Sequence, residues 1–174
     1  METALKKMLM MGVALALAPA GAYAQSVNAH TTMSTPDVDF VNNAAFGGMA
    51  EVQAGQLAIR LGSGDIKTIG RQMVADHTLL NTKLASAAKA KGMELPAELD
   101  EADAATIQDL AGSEGRAFDV KYLTSQVADH QKAIALFREE ADHGGDPDLK
   151  ALAGQALPTL QQHLQMIQAA NKAS

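Results

Sequence analysis

The chain has 174 residues, with 14 Lys and Arg against 20 Asp and Glu, a formal charge of −6, no cysteine and 3% aromatic residues. An acidic chain without a basic cluster argues against nucleic acid and anionic membrane as partners. The absence of cysteine excludes disulfides and a thiol nucleophile, so a core must hold the fold by itself, and a single domain of this size buries roughly two-thirds of its unfolded surface.

Lys6-Lys7, the apolar run from Met8 to Ala18, Pro19 and the small-residue stop Ala22-Tyr23-Ala24 read as a secretory signal peptide over 1–24, cleaved before Gln25. The run is too short to span a bilayer and no second one follows, so the mature form is expected to lack a transmembrane segment. No lipid-anchoring Cys is present, and a Gram-negative periplasm is the simplest address. Loss of Glu2, Lys6 and Lys7 with the signal moves the formal charge from −6 to −7. Residues 25–36 are polar, without an apolar period, and read as a flexible leader to a folded part over 37–172.

The first predicted helix, 37–61, carries Phe40, Val41, Ala44, Ala45, Gly48, Val52 and Ile59 at helical spacing. Gly62-Ser63-Gly64-Asp65 ends it and caps the next. The second, 65–91, presents Ile66, Ile69, Met73, Leu80 and Leu84 on one face and is closed by Gly92 and Pro96. A long connection follows, in which Asp100 to Leu110 has a helical pattern of its own. Ser113 is placed to cap the third long helix, 115–143, striped by Phe118, Leu123, Val127, Ile134 and Phe137. Gly144-Gly145 stops it, and Asp146-Pro147 is a cap with proline at the first helical position, opening the last helix, 147–171. Alternating β-branched runs do not occur. The expected fold is all-α: a ferritin-like four-helix bundle whose long connection between the second and third long helices holds a short helix and travels the length of the bundle.

Each long helix carries a polar residue near its middle: Glu51, His77, His130 and His163. Met73, Leu80 and Leu84 lie on the face of His77. Val127, Ile134 and Phe137 share that of His130, and Leu160, Met166 and Ile167 that of His163, so all three histidines point inward. Each lies within about four residues, or ~6 Å of rise, of its helix midpoint, a depth that does not depend on helix direction. Three neutral imidazoles and one carboxylate suit a divalent transition metal such as Zn, Fe, Mn or Cu, and an open coordination position would permit redox or Lewis-acid chemistry. The opposing expectation is a polar layer satisfied by protein groups alone, which fixes helix register without metal.

Val-Ala-Asp-His occurs at residues 74–77 and again at 127–130, and each Asp lies about 100° round the helix from its His, better placed as a supporting partner than as a ligand. Met49, Met73 and Met166 are near in sequence and would favour copper(I), although methionine more often fills irregular cores. Pro158 lies inside the last helix and is expected to kink it, removing the bond to the Gly154 carbonyl. Glu140-Ala141-Asp142-His143 has di-iron spacing but falls in a last helical turn, where His143 faces solvent. No phosphate loop or nucleophile elbow is present.

The ordered set Phe40-Val41, Ala44-Ala45, Gly47-Gly48-Met49-Ala50-Glu51-Val52, Met73-Val74, Asp76-His77-Thr78, Lys91-Gly92, Leu95-Pro96, Phe118-Asp119, Tyr122, Asp129-His130, Leu157-Pro158-Thr159-Leu160 and His163 resembles the DUF4142 family of exported bacterial proteins. The resemblance covers residues 38–168 and implies a ferritin-like four-helix domain in the periplasm or at the outer membrane, without an established activity. The chain departs from the ferritin di-iron pattern, having one inward Glu and no core E-x-x-H, so ferroxidase activity does not follow from the fold. Two functions stand against each other: a bundle that binds one metal ion through His77, His130 and His163 with Glu51 as fourth ligand or base, and a non-enzymatic envelope module that engages a protein partner.

Overall fold

The computed structural model describes residues 33–173; the predicted signal peptide and most of the predicted leader lie outside them. The described residues form five helices and no strand: α1 (Thr35–Leu61), α2 (Gly64–Ala90), α3 (Glu101–Ala111), α4 (Gly115–His143) and α5 (Pro147–Ala173). Among them no helix is long and apolar enough to cross a membrane.

α1 opens earlier than its apolar pattern suggests. The Ser34 hydroxyl accepts from the Asp37 amide and the Asp37 carboxylate accepts from the Ser34 amide, both at 3.3 Å, with Pro36 in the first turn. This reciprocal cap draws Ser34, Thr35 and Pro36 out of the expected leader and into the helix start. α4 likewise departs from expectation at its cap. Ser113 donates back to the Asp109 carbonyl at 2.9 Å and closes α3 instead, while Glu114 takes the cap position without a side-chain bond. Asp146 caps α5 as predicted, accepting from Leu149 N at 3.1 Å. Gly92, at φ 72°, ends α2 in the left-handed conformation that glycine adopts without strain. α5 runs on as helix through Pro158.

The hairpins α1/α2 and α4/α5 pack with α1 against α4 and α2 against α5. Bonds at the helix ends fix the directions. Gly145, just past α4, donates to Asp37 at the start of α1 at 2.7 Å, and Ser63, between α1 and α2, donates to Asp119 in the first turns of α4 at 3.1 Å. Lys91, at the end of α2, meets Asp146 at 2.6 Å before α5. α2 therefore ends where α4 ends, and the connection bearing α3 must run the length of the bundle to reach the start of α4. α3 packs on α1 and α4.

Within α1/α2 the backbones nearly touch: a Cβ on Gly70 would lie 2.7 Å from the Gly55 carbonyl oxygen. The apolar core comes in two blocks. One holds Phe40, Val41, Leu84, Phe137, Leu149 and Leu160; the other holds Leu57, Ile69, Met73, Phe118, Leu123 and Ile167. On each long helix the polar residue singled out above lies between the two.

Candidate metal centre

The structure brings the three histidines together. Their ring centroids form a near-equilateral triangle, 5.5 Å for His77–His130, 5.3 Å for His77–His163 and 5.4 Å for His130–His163. One ring nitrogen from each lies within 4.8 Å of the other two, and all three side chains are buried. Mid-helix placement is the sequence feature behind this convergence, because it sets each histidine between the same two apolar blocks whichever way its helix runs.

The hydrogen bonds orient the rings. His130 Nδ1 lies 3.0 Å from the Gln126 carbonyl oxygen, one turn back on α4, and His163 Nε2 lies 2.8 Å from Asp76 Oδ2, across the bundle on α2. Carbonyl and carboxylate oxygens only accept, so each of these nitrogens carries its proton. The other two, His130 Nε2 and His163 Nδ1, face each other at 3.3 Å. If both rings are neutral, two lone pairs meet there, and a shared proton or a metal ion resolves the clash. Two nitrogens on a tetrahedral ion at ~2.0–2.1 Å lie ~3.3–3.4 Å apart, which matches. His77, 4% exposed, has no hydrogen-bond partner on either ring nitrogen.

Glu51 lies in the layer but outside the converging donor set. Its Oε1 faces His130 Nδ1 at 3.4 Å, the edge of the ring turned away from His163, while Oε2 has no partner. It is placed to support His130 rather than to join the three nitrogens. Burial pushes the Glu51 carboxyl up to about 8, with the charges of Asp129 and Asp103 adding to the rise. Burial also holds His77 down to about 3, helped by the neighbouring imidazoles, and His130 down to about 4. Both rings thus stay neutral, as metal ligands must be.

Two participants escaped the sequence reading. Gln126 supplies the carbonyl that orients His130 and a side chain that bonds Glu51. Tyr122 is wholly buried with an unpartnered hydroxyl, whose pKa is raised by burial and then by the charge of Glu51. Tyr122, Gln126 and His130 stand at successive four-residue steps, and that inward glutamine was the available signal. Asp76 supports a histidine as expected, although the ring it holds is His163 rather than its neighbour His77. Met73 and Met166 pack in the apolar block beside the layer. In the E-x-x-H, Glu140 is buried, while His143 is exposed beside Glu139, so the pair shares no site.

A search of curated proteins gives no match. Among solved structures, a DUF305 fragment from Deinococcus radiodurans superposes with a TM-score of 0.72 at 12% identity, covering 82% of this chain and 99% of that one, a likeness of fold alone. The family described as a domain of unknown function, DUF4142, matches residues 22–170. Spanning the whole bundle and every residue of the histidine layer, that match makes this chain a member of the DUF4142 family.

Proposed function

We propose that the protein binds one divalent transition-metal ion through His77, His130 and His163, with Asp76 and the Gln126 carbonyl orienting two of the rings and Glu51 backing His130. The observation that carries this reading is the 3.3 Å approach of His130 Nε2 to His163 Nδ1, with both opposite nitrogens turned toward acceptors. A carboxylate or carbonyl behind a ligating histidine fixes its tautomer and raises its basicity. Three imidazoles without thiolate suit Zn, Cu, Fe or Mn. The ion would tie α2, α4 and α5 together at mid-depth.

The competing reading is a metal-free layer in an envelope module with a protein partner. A proton shared between His130 and His163 favours it, but no protein group then engages either ring nitrogen of His77. Elemental analysis of protein purified without a histidine tag separates the two. Near-stoichiometric metal in the wild type and none in His130→Ala is the expected result, whereas a metal-free, cooperatively folded wild type overturns the proposal. The periplasmic address rests on the Lys6-Lys7, apolar run and Ala22-Tyr23-Ala24 pattern, and N-terminal sequencing of cell-derived protein tests it: a start at Gln25 supports export.

A further inference from the structure

The histidine layer is reached by two cavities. One, of about 240 Å³, lies between α1, α3 and α4; Glu51 and His77 form its inner end, and Asp100, Asp103 and Asp129 stand along it. The other, of about 340 Å³, lies between α2 and α5 and reaches His77 and His163. His77, Leu80 and Leu160 line both, so the His77 ring forms part of the partition.

Their charges differ. Along the first cavity Asp103 and Asp129 face one ammonium, Lys132, with Asp100 beside them capping α3, and the inner end offers the unpartnered Oε2 of the Glu51 carboxyl group and the unpartnered ring of His77. Glu51 is 7% exposed and His77 4%. Along the second, Asp76 is already held by His163 and, at 2.6 Å, by Gln72, Asp148 is paired with Lys91 at 3.0 Å, and Lys83 adds a positive charge. Carboxylates set between the apolar walls of Phe46, Leu110 and Leu136 focus an attractive field on a cation. The volume of the first cavity, about 240 Å³, exceeds the ~180 Å³ of the six waters around a hydrated ion at ~30 Å³ each.

We propose that the cavity between α1, α3 and α4 is the path by which a divalent cation reaches the histidines, drawn in by Asp103 and Asp129 and met at the inner end by the unpartnered ring of His77. This path rests on the metal reading above. Asp103 and Asp129 are absent from the three converging nitrogens, so their main effect falls on the rate of arrival. α3, which carries Asp103, thereby has a role that its packing alone does not give it.

Mixing metal-stripped, full-length protein with Co²⁺ at pH 7 and following the visible absorption of the bound ion tests this. In Asp103→Asn/Asp129→Asn, uptake at low ionic strength should slow by about tenfold and lose most of its salt dependence, with equilibrium affinity as in the wild type. Lys83→Gln, in the second cavity, should leave uptake unchanged. Asp103→Asn alone should show a smaller slowing in the same direction, which guards against a folding defect of the double variant. Wild-type uptake rates in the double variant overturn the path, as does a loss of affinity through faster release at unchanged uptake, or a faster rate in Lys83→Gln. A wild type that never develops the Co²⁺ absorption instead takes down the metal reading itself.

Discussion

Val74-Ala75-Asp76-His77 on α2 and Val127-Ala128-Asp129-His130 on α4 set the same four side chains at the same depth of the bundle, yet the partners of Asp and His are exchanged between them. In the α2 copy the aspartate is engaged, reaching His163 at 2.8 Å, and the histidine has no partner. In the α4 copy the histidine is engaged at both nitrogens, and the aspartate stands in a cavity, where burial and then the charge of Asp103 raise its pKa. Both helices pack on α5, but Asp76 stands beside its histidine, His163, whereas Asp129 stands on the side of α1 and α3, near the carboxyl groups of Glu51 and Asp103. Identical local sequence sets which way a side chain points; the opposing helix decides what it does there.

The strongest way to break this contrast is to remove the ring without a partner. His77→Ala should bring bound metal to background in elemental analysis, because a ring free of protein partners is the one whose only partner is the ion. Retained metal would leave His77 a packing residue. Next come the aspartates: Asp76→Asn, which weakens the support of His163, should lower affinity ~10–100-fold in a competition titration, while Asp129→Asn should leave equilibrium affinity unchanged. Equal losses would erase the distinction between the copies.

Metal-free stability sharpens it further. His130→Leu strands its partners in the core and should cost ~1–3 kcal/mol in urea unfolding, whereas His77→Leu removes two unsatisfied nitrogens and should be neutral or stabilising. The smallest effect is in pH. Between about pH 7 and 8 His77 and His130 are largely neutral in both states, but the folded protein keeps protons on Glu51, raised to about 8, and on Glu140, raised to about 7, that the unfolded chain has lost. Metal-free stability should therefore fall as pH rises through that window, less steeply in Glu51→Gln. On the acid side, below the ordinary carboxyl range, it should fall again as the unfolded chain holds protons that folded His77 and His130, held to about 3 and 4, refuse.

The 3.6-residue period carried the helices, their order and the inward direction of all three histidines, because those follow from spacing along one helix. Glycine and aspartate signals placed most helix ends; Ser113 was misread because its hydroxyl had two helix ends within reach, and Ser34 was left in the leader because the apolar period starts only at Phe40. Partners across helices stayed hidden. That Asp76 meets His163, or that Glu51 turns to the outer edge of His130, depends on helix rotation, which a periodic pattern specifies only to within a wide stripe. The approach of Asp103 to Asp129 depends on how the crossover drapes α3 over α1 and α4, and no spacing within either helix encodes that.

The two apolar blocks on either side of the layer have a consequence for how the molecule comes apart. Every long helix contributes to both blocks, but only one block is braced by α3, through Leu110. Without an ion, the end that α3 does not cover, around Phe40 and Phe137, should open first, with its amides exchanging hydrogen ahead of those around Phe118 and Ile167. An ion clasping α2, α4 and α5 at the seam would make opening of either end strain the same bonds, so that protection rises at both ends together and a molecule of two loosely joined halves melts as one.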